Sequence, residues 1–243
     1  MDLIEHRQQQ VLCDKKWHKF NRRTWLFRYI PFVEIVFGSG SLAIGNVDNE
    51  SDFDVLIGVR DGRIFTARFF SAVVIGLFGW RRTKKHGHAE ATDKICLNHF
   101  VTRSTYKLRA PANLYWRVLY QSLVPVYGQA YKIQNFYDAN AQLIGERKVD
   151  ADHRYKHKKA SELKNIIEFF LSGRLGDSLE EFLKKYQVSR IRQGAGGVAS
   201  VSGSHRIMVY GVGEGAKIKL QPLITYSDEE LDFHPDSAQI IIE

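Results

Sequence analysis

The stretch Phe32–Val59 reads FVEIVFGSGSLAIGNVDNESDFDVLIGV, and two short apolar runs frame it. FVEIVF (Phe32–Phe37) and FDVLIGV (Phe53–Val59) have strand length and are rich in branched and aromatic residues, which predicts two β-strands. The first ends abruptly at Gly38-Ser39-Gly40-Ser41, and Asp52 and Asp54 stand at the start of the second. A strand alternates faces with period two, so both carboxylates point one way and Phe53 the other. Two carboxylates on one face repel unless a cation neutralises them. Hard divalent ions such as Mg²⁺ take oxygen ligands of this kind and bridge them to substrate phosphates. Two such ions about 3.5–4 Å apart support in-line displacement at phosphorus. Asp52 and Asp54 are therefore the candidate ligands for Mg²⁺, or for Mn²⁺ in its place. Upstream, Gly40 allows the backbone to approach a phosphate. The N–H groups of a short helix through Leu42, Ala43 and Ile44, with the Ser41 hydroxyl, would hold its oxygens.

Working outward, residues 6–29 have the spacing of an amphipathic helix that Pro31 stops. Downstream, Asp61-Gly62 marks a turn, Ile64–Phe78 has helix length, and KICLNHFV (Lys94–Val101) reads as a third strand. Pro111 opens a helix running to about Leu123 and Pro125 closes it; another covers about Ile133–Gly145. Strands separated by helices predict a mixed sheet. Beyond Asp150 the character changes to two helices, 155–172 and 177–187, then the small-residue stretch QGAGGVASVSGS (193–204). A hairpin built from RIMVYGV and AKIKLQPLITY follows. The expected organisation is a domain over 1–150 with accessory helices and a β-hairpin over 151–243, the two able to pack as one.

Composition narrows the class. The chain has 243 residues, 44% hydrophobic and 12% aromatic, enough for a real core and against disorder. Its net charge of +8 favours anionic partners. Two cysteines, Cys13 and Cys96, lie too far apart for a metal knuckle or a disulfide framework, which fits a reducing cytoplasm. The N-terminus, MDLIEHRQQQ, lacks the apolar core of a secretory signal. The apolar run FFSAVVIGLFGW (Phe69–Trp80) falls short of the roughly 20 residues that span a bilayer. A buried helix, no membrane insertion and a cytoplasmic protein are the expectations.

The segment Gly40–Ile57 (GSLAIGNVDNESDFDVLI) resembles the motif of the polymerase-beta-like nucleotidyltransferase superfamily: Gly-Ser before a short helix, then Asp-x-Asp followed by apolar residues. A weaker similarity to bacterial proteins with this domain continues to about Asn140, and the final YSDEELDFHP is similar to the ends of some of them. The resemblance implies an α+β nucleotidyltransferase fold. It also implies Mg²⁺-dependent transfer of a nucleoside monophosphate from an NTP, ATP by default, to an acceptor hydroxyl on RNA, a protein or a small molecule. By it, Gly40 and Ser41 bind the nucleotide phosphates, and Asp52 and Asp54 bind metal and carry the catalysis. Members usually add a third carboxylate on the neighbouring strand. Here Asp93 just before KICLNHFV, Asn98 within it, or no residue at all fills that role. Without a third acid, a non-catalytic nucleotide-binding or regulatory module of the same fold is the alternative. A basic RNA- or DNA-binding protein is the other, resting on Lys156, Lys158, Lys159 and Lys164, with Tyr155 as the stacking candidate.

Overall fold

The computed structural model describes residues 3–83, 88–108, 114–149, 152, 154, 155, 159–194, 206–207 and 224–232. Helix α1 (Leu3–Thr24) runs into a 3-10 turn (Trp25–Tyr29) and leads to strand β1 (Val33–Gly38). Helix α2 (Gly40–Ile44), strand β2 (Phe53–Val59) and helix α3 (Ile64–Leu77) follow. Next come α4 (His88–Ala91), β3 (Ile95–Thr102), α5 (Leu114–Gln121), β4 (Val124–Gly128), α6 (Ala130–Ala139) and α7 (Ala141–Ile144). The C-terminal part contributes α8 (Glu162–Phe170), α9 (Arg174–Gly194) and three short strands, β5 (Arg206–Ile207), β6 (Ile224–Tyr226) and β7 (Glu230–Asp232).

Among the described residues, seven strands form one mixed sheet in the order β4-β1-β2-β3-β7-β6-β5, flanked by helices, so the fold is α+β. β1 lies between β4 and β2, antiparallel to both, and every residue in it is buried. That position explains why FVEIVF is almost continuously apolar instead of alternating. β2 runs parallel to β3. One core lies against α1, α3 and α9 and includes Phe20, Phe27, Phe53 and Phe65. The other lies against α6 and α7 and joins Ile35, Phe37 and Leu56 to Phe136 and Tyr137. Each fully buried ring contributes about 2–3 kcal/mol of transfer free energy.

Two expectations change. Pro125 does not end a helix; it sits inside β4, opposite Phe37. β4 is the sheet edge, where a residue without an N–H removes no ladder bond. The long C-terminal helix begins at Arg174, not 177, and extends to Gly194. Of the expected hairpin, the described ends pair antiparallel, Arg206 with Thr225 and Ile207 with Ile224; residues 208–223 lie outside the described residues. β7, which local pattern did not announce, hydrogen-bonds to β3 and so joins residues 230–232 to the sheet that holds β2. In α3, Ile64, Phe65, Ala67 and Ile75 are buried while Phe69, Val73 and Leu77 are exposed. Among the described residues no helix is long and apolar enough to cross a membrane.

Candidate functional site

Because β1 and β2 are antiparallel, the C-terminal end of one lies beside the N-terminal end of the other, with Gly38 opposite Val55. The Ser39 N–H donates to the Asp54 carbonyl at 3.0 Å and fixes the Gly-Ser corner against the Asp-x-Asp strand. Gly40 has φ +66°, and a Cβ built on it would sit 2.2 Å from Asp54 Oδ2 and 3.0 Å from Asp54 Cγ. The corner and the carboxylate are thus in contact, and only a residue without a side chain permits it. Ser41 is half-buried in the first turn of α2, its carbonyl accepting from the Gly45 and Asn46 N–H groups.

Asp54 lies directly opposite Cys96 in the parallel β2–β3 ladder. Asp52, Asp54 and Cys96 present one ligand atom each, all within 4.8 Å of one another, and all three are half-buried. Burial, then the Asp54 and Asp52 carboxylates, push the Cys96 thiol far above its ordinary pKa, and the thiol is hydrogen-bonded to Asp54. At neutral pH it is therefore protonated. Asn98 Nδ2 donates to Asp54 Oδ1 at 3.2 Å. Asp52 Oδ2 accepts from Arg82 Nη1 at 2.5 Å. Burial would lower the Arg82 pKa, but the Asp52 carboxylate raises it on balance. Arg82 reaches the site because the chain after α3 returns along β3, its N–H bonded to the Ile95 carbonyl at 2.9 Å.

Two carboxylates and one guanidinium leave a net local charge of −1, which favours a cation. The donor set fits Mg²⁺ in part: two carboxylates converge, and the ion would complete its shell with water and phosphate oxygens. Arg82 competes for one oxygen of Asp52 and leaves the other. A neutral thiol is a poor ligand for a hard ion, so Cys96 adds nothing to Mg²⁺ binding.

Of the candidates for a third ligand, Asp93 and Asn98 stand in different surroundings. The Asp93 carboxylate is engaged by Lys16 and Lys19 of α1, and its carbonyl accepts from Arg23. It is not in the Asp52–Asp54–Cys96 group. Burial would raise its pKa, yet the two ammonium groups hold it below the ordinary carboxylate range. Asp93 fastens α1 to the start of β3. Asn98 does reach Asp54, as a neutral donor. The sequence reading missed Arg82 and Cys96. Cys96 precedes Asn98 by two positions on the same strand, a spacing that was legible; nothing local marks Arg82.

One extra residue in β3, between the Asp54–Cys96 and Leu56–His99 partners, turns His99 onto the face that carries Cys96. There His99, Glu230 and Asp232 bring ligand atoms within 4.8 Å of one another. Burial would lower the His99 pKa; Asp232 and Glu230 raise it on balance. The group ties β7 to β3.

The basic helix reads differently once folded. Lys164 is buried and donates to the Val33 carbonyl and to Tyr127 Oη, and burial lowers its pKa to about 8. Tyr155 is buried and donates its hydroxyl to the Gly128 carbonyl. Neither can face a nucleic acid. Lys156 and Lys158 lie outside the described residues.

No known family model matches the chain, and neither curated proteins nor solved structures give a match.

Proposed function

We propose that the corner of Gly40 and Ser41 with Asp52 and Asp54 binds a nucleoside triphosphate through a divalent cation, on a nucleotidyltransferase-like fold, and transfers its nucleoside monophosphate to an acceptor hydroxyl. The single observation that carries this reading is the contact between Gly40 and Asp54, which leaves no room for a Cβ. A backbone corner suited to phosphate and a carboxylate pair suited to Mg²⁺ then share one site, in the order and spacing that the Gly40–Ile57 resemblance implies. When bound, the cation would neutralise phosphate charge and orient the α-phosphate. Asp52 and Asp54 would hold it, Gly40 and Ser41 would hold the distal phosphates, and Arg82 would exchange its bond to Asp52 for a phosphate oxygen. The acceptor oxygen bonds to the α-phosphorus, the bond to the bridging oxygen of the β-phosphate breaks, and pyrophosphate leaves with that electron pair. The acceptor proton passes to water. RNA, a protein and a small molecule all offer such a hydroxyl.

A second reading, nucleotide binding without transfer, is favoured by Asn98. It stands beside Asp54 where the resemblance calls for an acid, and an amide cannot serve as a base. Incubation with α-labelled NTPs and Mg²⁺ separates the two. Transfer predicts pyrophosphate release and labelled acceptor, both lost in Asp54→Asn. Binding alone predicts Mg²⁺-dependent affinity that needs Asp54, with no adduct on any acceptor. Nucleotide affinity unchanged in Asp52→Asn and Asp54→Asn would discard both readings.

A further inference from the structure

β7 repeats the acid-x-acid pattern seen at the start of β2. It reads Glu230-Leu231-Asp232, with Leu231 buried and the acid on either side half-buried. By the period of two, both carboxylates stand on the face opposite Leu231. Asp232 lies directly opposite His99 in the antiparallel β3–β7 ladder, and Glu230 lies opposite Val101, a diagonal step away on the same face. Backbone bonds hold β7 in that register: the Thr102 N–H donates to the Glu229 carbonyl and the Ser227 N–H to the Glu230 carbonyl, both at 2.8 Å. The His99 side chain is only 3% exposed, so packing fixes its imidazole, while the two carboxylates reach the surface.

The spacing within this group points to an ion. His99 Nε2 stands 3.4 Å from Glu230 Oε1. A charge-assisted N–H···O bond normally closes to about 2.7–2.9 Å. Two ligand atoms held at about 2.1 Å from a tetrahedral Zn²⁺ stand about 3.4 Å apart. The observed separation matches the edge of that tetrahedron. The ligand atoms of His99, Glu230 and Asp232 all lie within 4.8 Å of one another, so the remaining sides of the triangle close to that edge with a movement of about 1.4 Å or less. The broad terminal torsions of Asp and Glu supply such a shift. Donor type narrows the ion: imidazole suits Zn²⁺, whereas Mg²⁺ and Ca²⁺ take oxygen ligands. Three protein ligands leave a fourth position to water. We propose that His99, Glu230 and Asp232 bind one Zn²⁺, at a site separate from the Asp52–Asp54 pair. The imidazole coordinates through the lone pair of Nε2, any proton there leaves to water, and the ion clamps β7 to β3. This does not depend on the nucleotide reading.

The test is titration of the full chain with Zn²⁺, read by calorimetry, and with Co²⁺, read by proton NMR. Zn²⁺ is expected to bind saturably to wild type and to Asp54→Asn, which disables the Asp52–Asp54–Cys96 group. Co²⁺ is expected to shift the ring resonances of one histidine, a signal missing from His99→Gln. Loss of even an outer partner of a metal ligand costs about 10–100-fold in affinity, so His99→Gln is expected to weaken Zn²⁺ binding more than about 100-fold, with an unchanged circular dichroism spectrum. If that variant does not fold, Asp232→Asn, which keeps the imidazole, is expected to weaken binding by at least about 10-fold. A wild-type chain with no saturable Zn²⁺ binding overturns the proposal, as does an affinity that the folded variants leave unchanged. Binding that survives in His99→Gln and disappears in Asp54→Asn also overturns it, by assigning the ion to the Asp52–Asp54–Cys96 group.

Discussion

Replacing Gly40 with alanine separates two costs that the structure keeps distinct. Gly40 and Gly62 both have left-handed backbones, at φ +66° and +70°, which an alanine adopts at a cost of about 1–2 kcal/mol. At Gly62 nothing lies within 4 Å of the added Cβ, so the backbone term stands alone. At Gly40 the new Cβ meets Asp54 Oδ2 at 2.2 Å, so the carboxylate must retreat by about 1 Å to reach ordinary contact. Overpacking of that kind adds about 1–3 kcal/mol. In a chain of this size each kcal/mol moves the melting temperature by about 2–4 °C. Gly62→Ala is expected to lose about 2–8 °C, and Gly40→Ala about twice that or more. The displaced ligand should also weaken Mn²⁺·ATP binding by about 10- to 100-fold in Gly40→Ala, a loss of about 1.4–2.8 kcal/mol, and leave it unchanged in Gly62→Ala. Differential scanning calorimetry and titration calorimetry read the two effects. If the variants cannot be told apart in either measurement, Asp54 is not wedged on the corner and the site is misassigned.

Three further outcomes follow from the ion pairs. Asp93→Asn is expected to lower stability by about 2 kcal/mol through loss of its charged partners, while nucleotide affinity stays within twofold; a larger fall in affinity would return Asp93 to the site. Because the pKa of His99 is raised in the fold, its contribution is complete below the ordinary histidine value of about 6.5 and is lost as pH rises through the folded value. Hydrogen exchange in β7, after correction for its intrinsic pH dependence, should therefore quicken only as pH rises above that ordinary value, an effect expected to vanish in His99→Gln. Glu34 is buried in β1, where burial would raise its pKa but Arg103 and Lys132 hold it below the ordinary carboxylate range. Its contribution is present above about pH 4.3 and lost as pH falls through the folded value. Glu34→Gln is expected to cost about 3–5 kcal/mol in urea unfolding at pH 7 and to flatten the acid limb of stability.

Most of the central elements were legible because their signals are local. FVEIVF and FDVLIGV each carry a strand pattern in six or seven residues, and the structure places strands at Val33–Gly38 and Phe53–Val59. The parity of Asp52 and Asp54 follows from the pleat alone. What failed were readings that needed a neighbour. Pro125 looks like a helix stop until β1 supplies an edge to pair with. Asp93 looks available until Lys16 and Lys19 arrive from a helix more than 70 positions earlier. Lys164 looks solvated until the Val33 carbonyl is seen beneath it.

By itself, then, the sequence determined the strands, the Gly-Ser corner and the pair of like-facing carboxylates, because backbone sterics and side-chain alternation act within a few residues. Only the tertiary structure decided which groups surround that pair. Arg82 on Asp52, Cys96 and Asn98 beside Asp54, and Asp93 turned aside all depend on chain segments brought together from a distance. Charge at close range is settled by proximity in space, and no local pattern encodes it.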